Sequence, residues 1–277
     1  MQHNNASNQT STINSPETQS LIFFPRYCEA SNGLEPTKVD VDGAEIGGLW
    51  LERKGSDGVL LFFHGNGEVA ADWSSLAESY ASALNVSVWF VDYRGYGRST
   101  GAPSYNAMLA DAECIFNALA DRESAHGSSF CRRFVFGRSI GSVPAIHLAW
   151  RFSGSVDALI VDSGLSHITE LVRRFRERRN LPGGAPDVPE GFLDNIDKLK
   201  ECAMPTLFLH GAEDTLIPIS EAQENYRASA AAVKRIVEIP GAGHNDLIFR
   251  ARQEDLYFGA IRSFAWSVAG MADANRI

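Results

Sequence analysis

The chain has 277 residues, 44% of them hydrophobic, and a formal net charge of −9. That is enough apolar material for the core of one α/β domain. The acidic balance argues against nucleic-acid binding as the main task, because phosphate recognition needs concentrated positive charge.

Residues 1–20 are rich in Asn, Ser, Thr and Gln. They offer little apolar surface to offset the entropy of ordering, so a disordered tail is expected, with the globular part running from 21 to 277. The tail has no apolar h-region, and no later run reaches the roughly 18 apolar residues of a membrane span. A cytoplasmic chain without a stable membrane anchor is the expectation. The four cysteines, Cys28, Cys114, Cys131 and Cys202, form no CxxC pair and no Cys/His cluster with ligand spacing. Reduced thiols, no metal site and no cofactor are expected.

Thr37–Val41 and Ile46–Leu51 flank Asp42-Gly43, a turn signal for a hairpin. Val59–Phe63 is a continuous apolar run, as expected of a strand buried on both faces, and Val86–Val91, Phe134–Phe136, Ala158–Val161 and Thr206–Leu209 read alike. Arg235–Ile239 predicts a further strand near an edge. Between them lie helical patterns: Ala107–Leu119 sets Met108, Ala112, Ile115 and Leu119 on one face, and Asp246–Val268 predicts a closing helix or pair of helices. Such alternation predicts a mostly parallel central sheet flanked by helices. Residues 164–203 predict a short cap. Within it Ile168, Leu171, Val172 and Phe175 form an apolar helical face, and Arg173, Arg174, Arg176, Arg178 and Arg179 crowd the rest. That basic face is either a solvated surface or a funnel for anionic substrates or acidic membrane lipids.

The strongest local signal is Gly137-Arg138-Ser139-Ile140-Gly141, a GxSxG pattern between a strand and a helix-compatible run. A sharp strand-to-helix turn needs small neighbours, and it lifts the Ser139 hydroxyl above the sheet beside unpaired helix N–H groups. Pro144 falls in the first turn of the helix that follows, where it is tolerated. The serine needs a base. His244 lies between the last strand and the last helix, in Gly241-Ala242-Gly243-His244-Asn245-Asp246, where flanking glycines let the loop cross the sheet. Asp214, after Thr206–Leu209, is the candidate acid that would orient it, with Asp162 as rival. His64 and His210 each precede a glycine at a strand end, where turn roles are expected. Two oxyanion donors are expected: the N–H of Ile140, and the N–H of Asn66 or Gly67 in His64-Gly65-Asn66-Gly67.

FFHGNG, VDYRGYGRSTGAPS, GRSIGSVP, LHGAEDTLIP and GAGHND occur in that order. This set resembles the Bem46-like branch of the α/β-hydrolase superfamily, close to the ABHD17-type protein depalmitoylases. The resemblance runs from about Leu21 to the end of the chain. It implies the α/β-hydrolase fold, with Ser139, Asp214 and His244 as triad and Asn66 and Ile140 as oxyanion positions. It also implies a bracing role for Arg94 and the glycines of 92–99. Unlike those depalmitoylases, residues 1–20 here contain no cysteine.

The expected activity is hydrolysis of a carboxylic ester or thioester through an acyl-enzyme, with a small-molecule or acyl substrate as partner. Acyl transfer, perhydrolysis and peptidase chemistry use the same triad. The reading outside enzymes is a catalytically silent binding protein of this fold. Dehalogenases and epoxide hydrolases want Asp at position 139.

Overall fold

In the computed structural model, residues 12–56, 58–126, 129–182, 184–248 and 253–274 are described. The apolar runs become the strands of one eight-stranded sheet. These are β1 (Glu35–Val41), β2 (Ala44–Leu51), β3 (Gly58–Phe63), β4 (Ser87–Val91), β5 (Arg132–Arg138), β6 (Ala158–Asp162), β7 (Thr206–Gly211) and β8 (Lys234–Ile239). Their spatial order is β1-β2-β4-β3-β5-β6-β7-β8. β1 pairs antiparallel with β2, and β2 with β4; every other pairing is parallel. The hairpin turns at Gly43, whose φ of 69° is the left-handed conformation a glycine adopts without strain.

Every residue of β3, β4, β6 and β7 is buried, because helices cover both faces. Phe62 lies at the centre. Its ring stacks on Phe136 at 4.4 Å between centroids and meets Trp73, Phe90 and Tyr80 at 4.8, 4.9 and 5.3 Å. Truncating such a ring to alanine costs about 3–5 kcal/mol. The covering helices are α2 (Ala77–Leu84), α3 (Tyr105–Asn117), α4 (Leu119–His126), α5 (Ser142–Arg151), α8 (Ile219–Ala228) and α9 (Gln253–Ala274). Leu119, expected to end the face of α3, instead opens α4. The closing helix is described over Gln253–Ala274; Asp246, Leu247 and Ile248 ahead of it are not helical, and 249–252 lie outside the described residues.

The cap carries α6 (Ile168–Arg178) and the short α7 (Asn195–Leu199). The expected disordered tail is corrected over residues 12–20. Thr12–Asn14 forms a 3-10 turn and Pro16–Ile22 forms α1. Ser15 caps that helix through the Thr18 N–H, and Pro16 occupies its first turn, where a missing N–H costs nothing. Ile13, Leu21 and Ile22 are buried in the common core. The Ile13 N–H donates to the Asp187 carbonyl at 3.2 Å, and the Tyr105 N–H to Gln19 Oε1 at 3.0 Å. A few long-range contacts thus order a segment whose composition is polar. Residues 1–11 of the expected tail lie outside the described residues.

Six strands, β4, β3, β5, β6, β7 and β8, run in one direction, so the loops after the carboxyl ends of β3, β5, β6, β7 and β8 share one edge. Those loops carry 64–68, Ser139, Ser163, Asp214 and His244.

Candidate active site

β5 runs directly into a 3-10 turn, Ser139–Gly141, and then into α5. Ser139 has φ 54°, a left-handed conformation that strains a residue with a side chain. The elbow holds it there through close packing. A Cβ on Gly137 would collide with the Gly141 carbonyl oxygen, and one on Gly141 with the Phe63 carbonyl oxygen. Ser142 Oγ ties the turn down, donating to the Ser139 carbonyl at 2.6 Å and accepting the Leu165 N–H at 3.0 Å. Pro144 sits at the third position of α5, inside its first turn.

His244 Nε2 lies 3.0 Å from Ser139 Oγ, and His244 Nδ1 lies 2.7 Å from Asp214 Oδ2. The three sequence-predicted residues therefore meet in the required order, although 105 and 30 positions separate the two pairs. Asp214 is oriented by its own loop. Its Oδ1 accepts the N–H groups of Leu216 and Ile217 at 2.9 and 2.8 Å. Burial pushes the Asp214 carboxyl up. The facing His210 and His244 side chains and the Ile217 N–H outweigh that and hold it well below the usual carboxylate range.

His210 does more than the expected turn work. Its Nε2 is 2.8 Å from the Ile217 carbonyl and 3.4 Å from Asp214 Oδ2, and both facing atoms are acceptors, so Nε2 carries the proton. It pins the far end of the acid's loop. The rival acid, Asp162, is committed elsewhere: it accepts the Tyr257 hydroxyl at 2.6 Å and the Ser163 hydroxyl at 2.8 Å. Tyr257 in turn meets Tyr80 at 3.0 Å, making a buried network that joins α9 and α2 to β6.

The loop after β3 supplies the second predicted oxyanion position. Asn66 and Ile140 line the same cleft as Ser139 and His244, a space of about 130 Å³ completed by Phe24, Glu68, Arg138, Leu171, Phe175, Leu216, Ile217 and Asn245. The Asn66 side chain turns away from the reacting atoms. Its Oδ1 accepts the Phe24 N–H at 2.9 Å and the Tyr96 hydroxyl at 2.8 Å, and its Nδ2 donates to the Ile22 carbonyl. The segment after α1 is therefore stitched to this loop, and Phe24 becomes one wall of the cleft, tilted against Phe175 at 6.4 Å. A larger cavity of about 350 Å³ lies beyond Glu68 and Arg138, also lined by Trp73, Asp162 and Leu247. Of the two, the smaller holds Ser139 and His244.

The expected brace at 92–99 is present. Arg94 makes a two-pronged pair with Asp111 at 2.8 and 2.7 Å. Gly97, at φ 51°, has no room for a Cβ beside the Asp92 carboxylate, which itself accepts the Ala70 N–H at 2.8 Å. Tyr93 donates to the His64 carbonyl at 2.6 Å. These bonds fix the loop in which Asn66 sits.

Sequence reasoning missed Phe24, Glu68, Arg138 and Asn245. Arg138 had a signal, its place inside GxSxG; Glu68 had one in standing three residues after Gly65. The arginines of this segment divide between the surface and the interior: Arg178 and Arg179 are exposed, Arg173 and Arg174 half-buried, and Arg176 buried. Arg173 pairs with Glu170 and Glu177, Arg174 with Glu221, and Arg176 with Glu17. Arg178 donates to the Thr215 carbonyl at 2.6 Å, and Arg179 lies over the Phe24 ring at 5.4 Å. Among the described residues no group of three or more His, Cys, Asp or Glu could hold a metal ion, and no helix is long and apolar enough to cross a membrane.

A family model described as serine aminopeptidase, S33, matches residues 54–181, a span that includes Ser139 but ends before Asp214 and His244. The chain is 32% identical over 210 residues to alpha/beta hydrolase domain-containing protein 17C of Xenopus laevis, covering 74% of this chain and 62% of that protein. It is 30% identical over 192 residues to alpha/beta hydrolase domain-containing protein 17B of Homo sapiens, covering 68% of this chain and 60% of that protein. The chain thus spans less than two thirds of the curated relatives it matches. Among solved structures, an esterase of Pyrococcus furiosus superposes with a TM-score of 0.68 at 17% identity, over 88% of this chain and 97% of that one. A soluble variant of the Saccharomyces cerevisiae monoglyceride lipase does so with a TM-score of 0.66 at 16% identity, over 88% of this chain and 99% of that one. With this sheet order, this elbow and these relatives, the chain belongs to the α/β-hydrolase superfamily, within which it is similar to the alpha/beta hydrolase domain-containing 17 proteins.

Proposed function

We propose that this chain is a hydrolase that cleaves a carboxylic ester or thioester through an acyl-enzyme formed on Ser139, with His244 as base and Asp214 as the orienting acid. The observation that carries the reading is the unbroken chain from Ser139 Oγ to His244 Nε2 at 3.0 Å and from His244 Nδ1 to Asp214 Oδ2 at 2.7 Å. His244 accepts the Ser139 proton as Oγ bonds to the substrate carbonyl carbon. The carbonyl oxygen becomes an oxyanion, received by the backbone N–H groups of Asn66 and Ile140. The carbon–oxygen or carbon–sulfur bond then breaks, and His244 returns the proton to the departing alcohol or thiol. Water repeats the sequence on the acyl-enzyme and frees the acid. The apolar wall of Phe24, Leu171, Phe175, Leu216 and Ile217 suits the acyl side of such a substrate.

A cytoplasmic location fits four unpaired cysteines, Cys28, Cys114, Cys131 and Cys202. The test is turnover of p-nitrophenyl esters and acyl thioesters of increasing chain length by the purified chain and by Ser139→Ala. The reading expects saturable turnover that Ser139→Ala abolishes. Equal turnover by the two proteins would overturn it.

A further inference from the structure

Arg138 immediately precedes the candidate nucleophile, yet its side chain works away from it. The guanidinium is buried, with 8% of the side chain exposed. Its Nη1 pairs with Glu68 Oε1. Its Nη2 donates to the His244 carbonyl at 2.8 Å and to Asn245 Oδ1 at 3.0 Å. Its Cζ lies 5.6 Å from the Trp73 ring centroid. Glu68 extends the chain of contacts: its Oε2 accepts the Gly65 N–H at 2.7 Å and the Trp73 Nε1–H at 3.1 Å. The pair packs so closely on Gly65 that a Cβ there would lie 2.6 Å from Arg138 Nη1 and 2.9 Å from Glu68 Oε1. One guanidinium and one carboxylate therefore join the nucleophile elbow, the loop after β3 and the histidine loop.

We propose that Arg138, acting through Glu68 and the His244 carbonyl, is a positioning residue that sets the spacing of the base and the oxyanion loop around Ser139. This rests on the serine-hydrolase reading above. A planar fork is needed because the two partners lie on different loops. A lysine keeps the charge but offers it from a single nitrogen. A buried arginine with a single ion-pair partner is poor evidence of stabilisation by itself. Three polar contacts of Arg138 and two more of Glu68, linking three loops of one site, have a better explanation in geometry. Small displacements of reacting groups are costly, on the order of 10²-fold in rate for about 1 Å.

The experiment compares the full chain with Arg138→Lys, Glu68→Gln and Ser139→Ala. Each is measured for kcat and KM on a short p-nitrophenyl ester, for the rate of labelling by a fluorophosphonate, and for urea unfolding. Folded Arg138→Lys is expected to lose about 10- to 100-fold in kcat, with KM little changed and labelling slowed by a similar factor. Glu68→Gln is expected to behave alike, and decides the matter if Arg138→Lys does not fold. Near-normal kcat in either folded variant, or a loss that only tracks the folded fraction, would overturn the proposal. Failure of the parent reading looks different: labelling and turnover would survive in Ser139→Ala.

Discussion

Asp214 Oδ2 lies 2.7 Å from His244 Nδ1, whereas Asp162, at the end of the neighbouring strand, is held by Tyr257 at 2.6 Å. The two carboxylates should therefore respond differently to the same substitution. Asp214→Asn is expected to lose on the order of 10⁴ in turnover while staying folded, as when the orienting acid of a serine protease is removed. Asp162→Asn should keep turnover but lose about 1–3 kcal/mol of stability, because the two hydroxyls bond to different carboxylate oxygens and the amide keeps only one of them. Ester turnover and urea unfolding of both variants check this. An inactive, folded Asp162→Asn beside an active Asp214→Asn would reverse the assignment.

The same pairing should appear in the pH dependence of stability. The folded Asp214 carboxyl is held below its ordinary value, so the unfolded chain binds its proton more readily on acidification. Its contribution is fully present above the unfolded value of about 3.9 and is lost as pH falls below that toward the folded value. Wild-type stability should drop more steeply than that of Asp214→Asn below about pH 4. Parallel curves from urea unfolding at several pH values would show that the carboxylate is not held as described.

Phe24 forms one wall of the cleft, supported by Phe175 at 6.4 Å. Replacing it with alanine opens the acyl side. Phe24→Ala should shift preference toward longer acyl chains, by about 10-fold or more in relative kcat/KM. A chain-length series of p-nitrophenyl esters reads this directly. An unchanged preference would mean that the acyl group lies elsewhere.

Arg174 faces Glu221, whose side chain is 6% exposed. Arg174→Glu would set two carboxylates together, and breaking such a buried pair costs about 3–5 kcal/mol. Its effect on turnover should be equal for neutral and anionic esters. A loss confined to anionic esters and masked by salt would restore the funnel expectation.

The parallel sheet was legible because fully buried strands read as unbroken apolar runs. Ser139, Asp214 and His244 could be picked out as candidates because each follows a strand-like run with a glycine close by. Two features were hidden for one physical reason. The packing of Ile13 to Phe24 depends on partners such as Asn66, Tyr105 and Asp187, and the Arg138–Glu68 pair joins residues 70 positions apart. Local composition carries no record of such contacts. Ser15 and Pro16, the cap and first residue of α1, stand within the polar stretch of residues 1–20. The arginines of α6 read as free charge for the same reason, since Glu17 and Glu221 are remote in sequence.

The most direct test of the central claim is the covalent fate of Ser139. The chain is incubated with a fluorophosphonate, digested and mapped by mass spectrometry, beside Ser139→Ala and His244→Ala. The account expects one phosphonate on the peptide carrying Ser139, no label on Ser139→Ala, and labelling of His244→Ala slowed by orders of magnitude. Label on another residue, or full-rate labelling without His244, would contradict it.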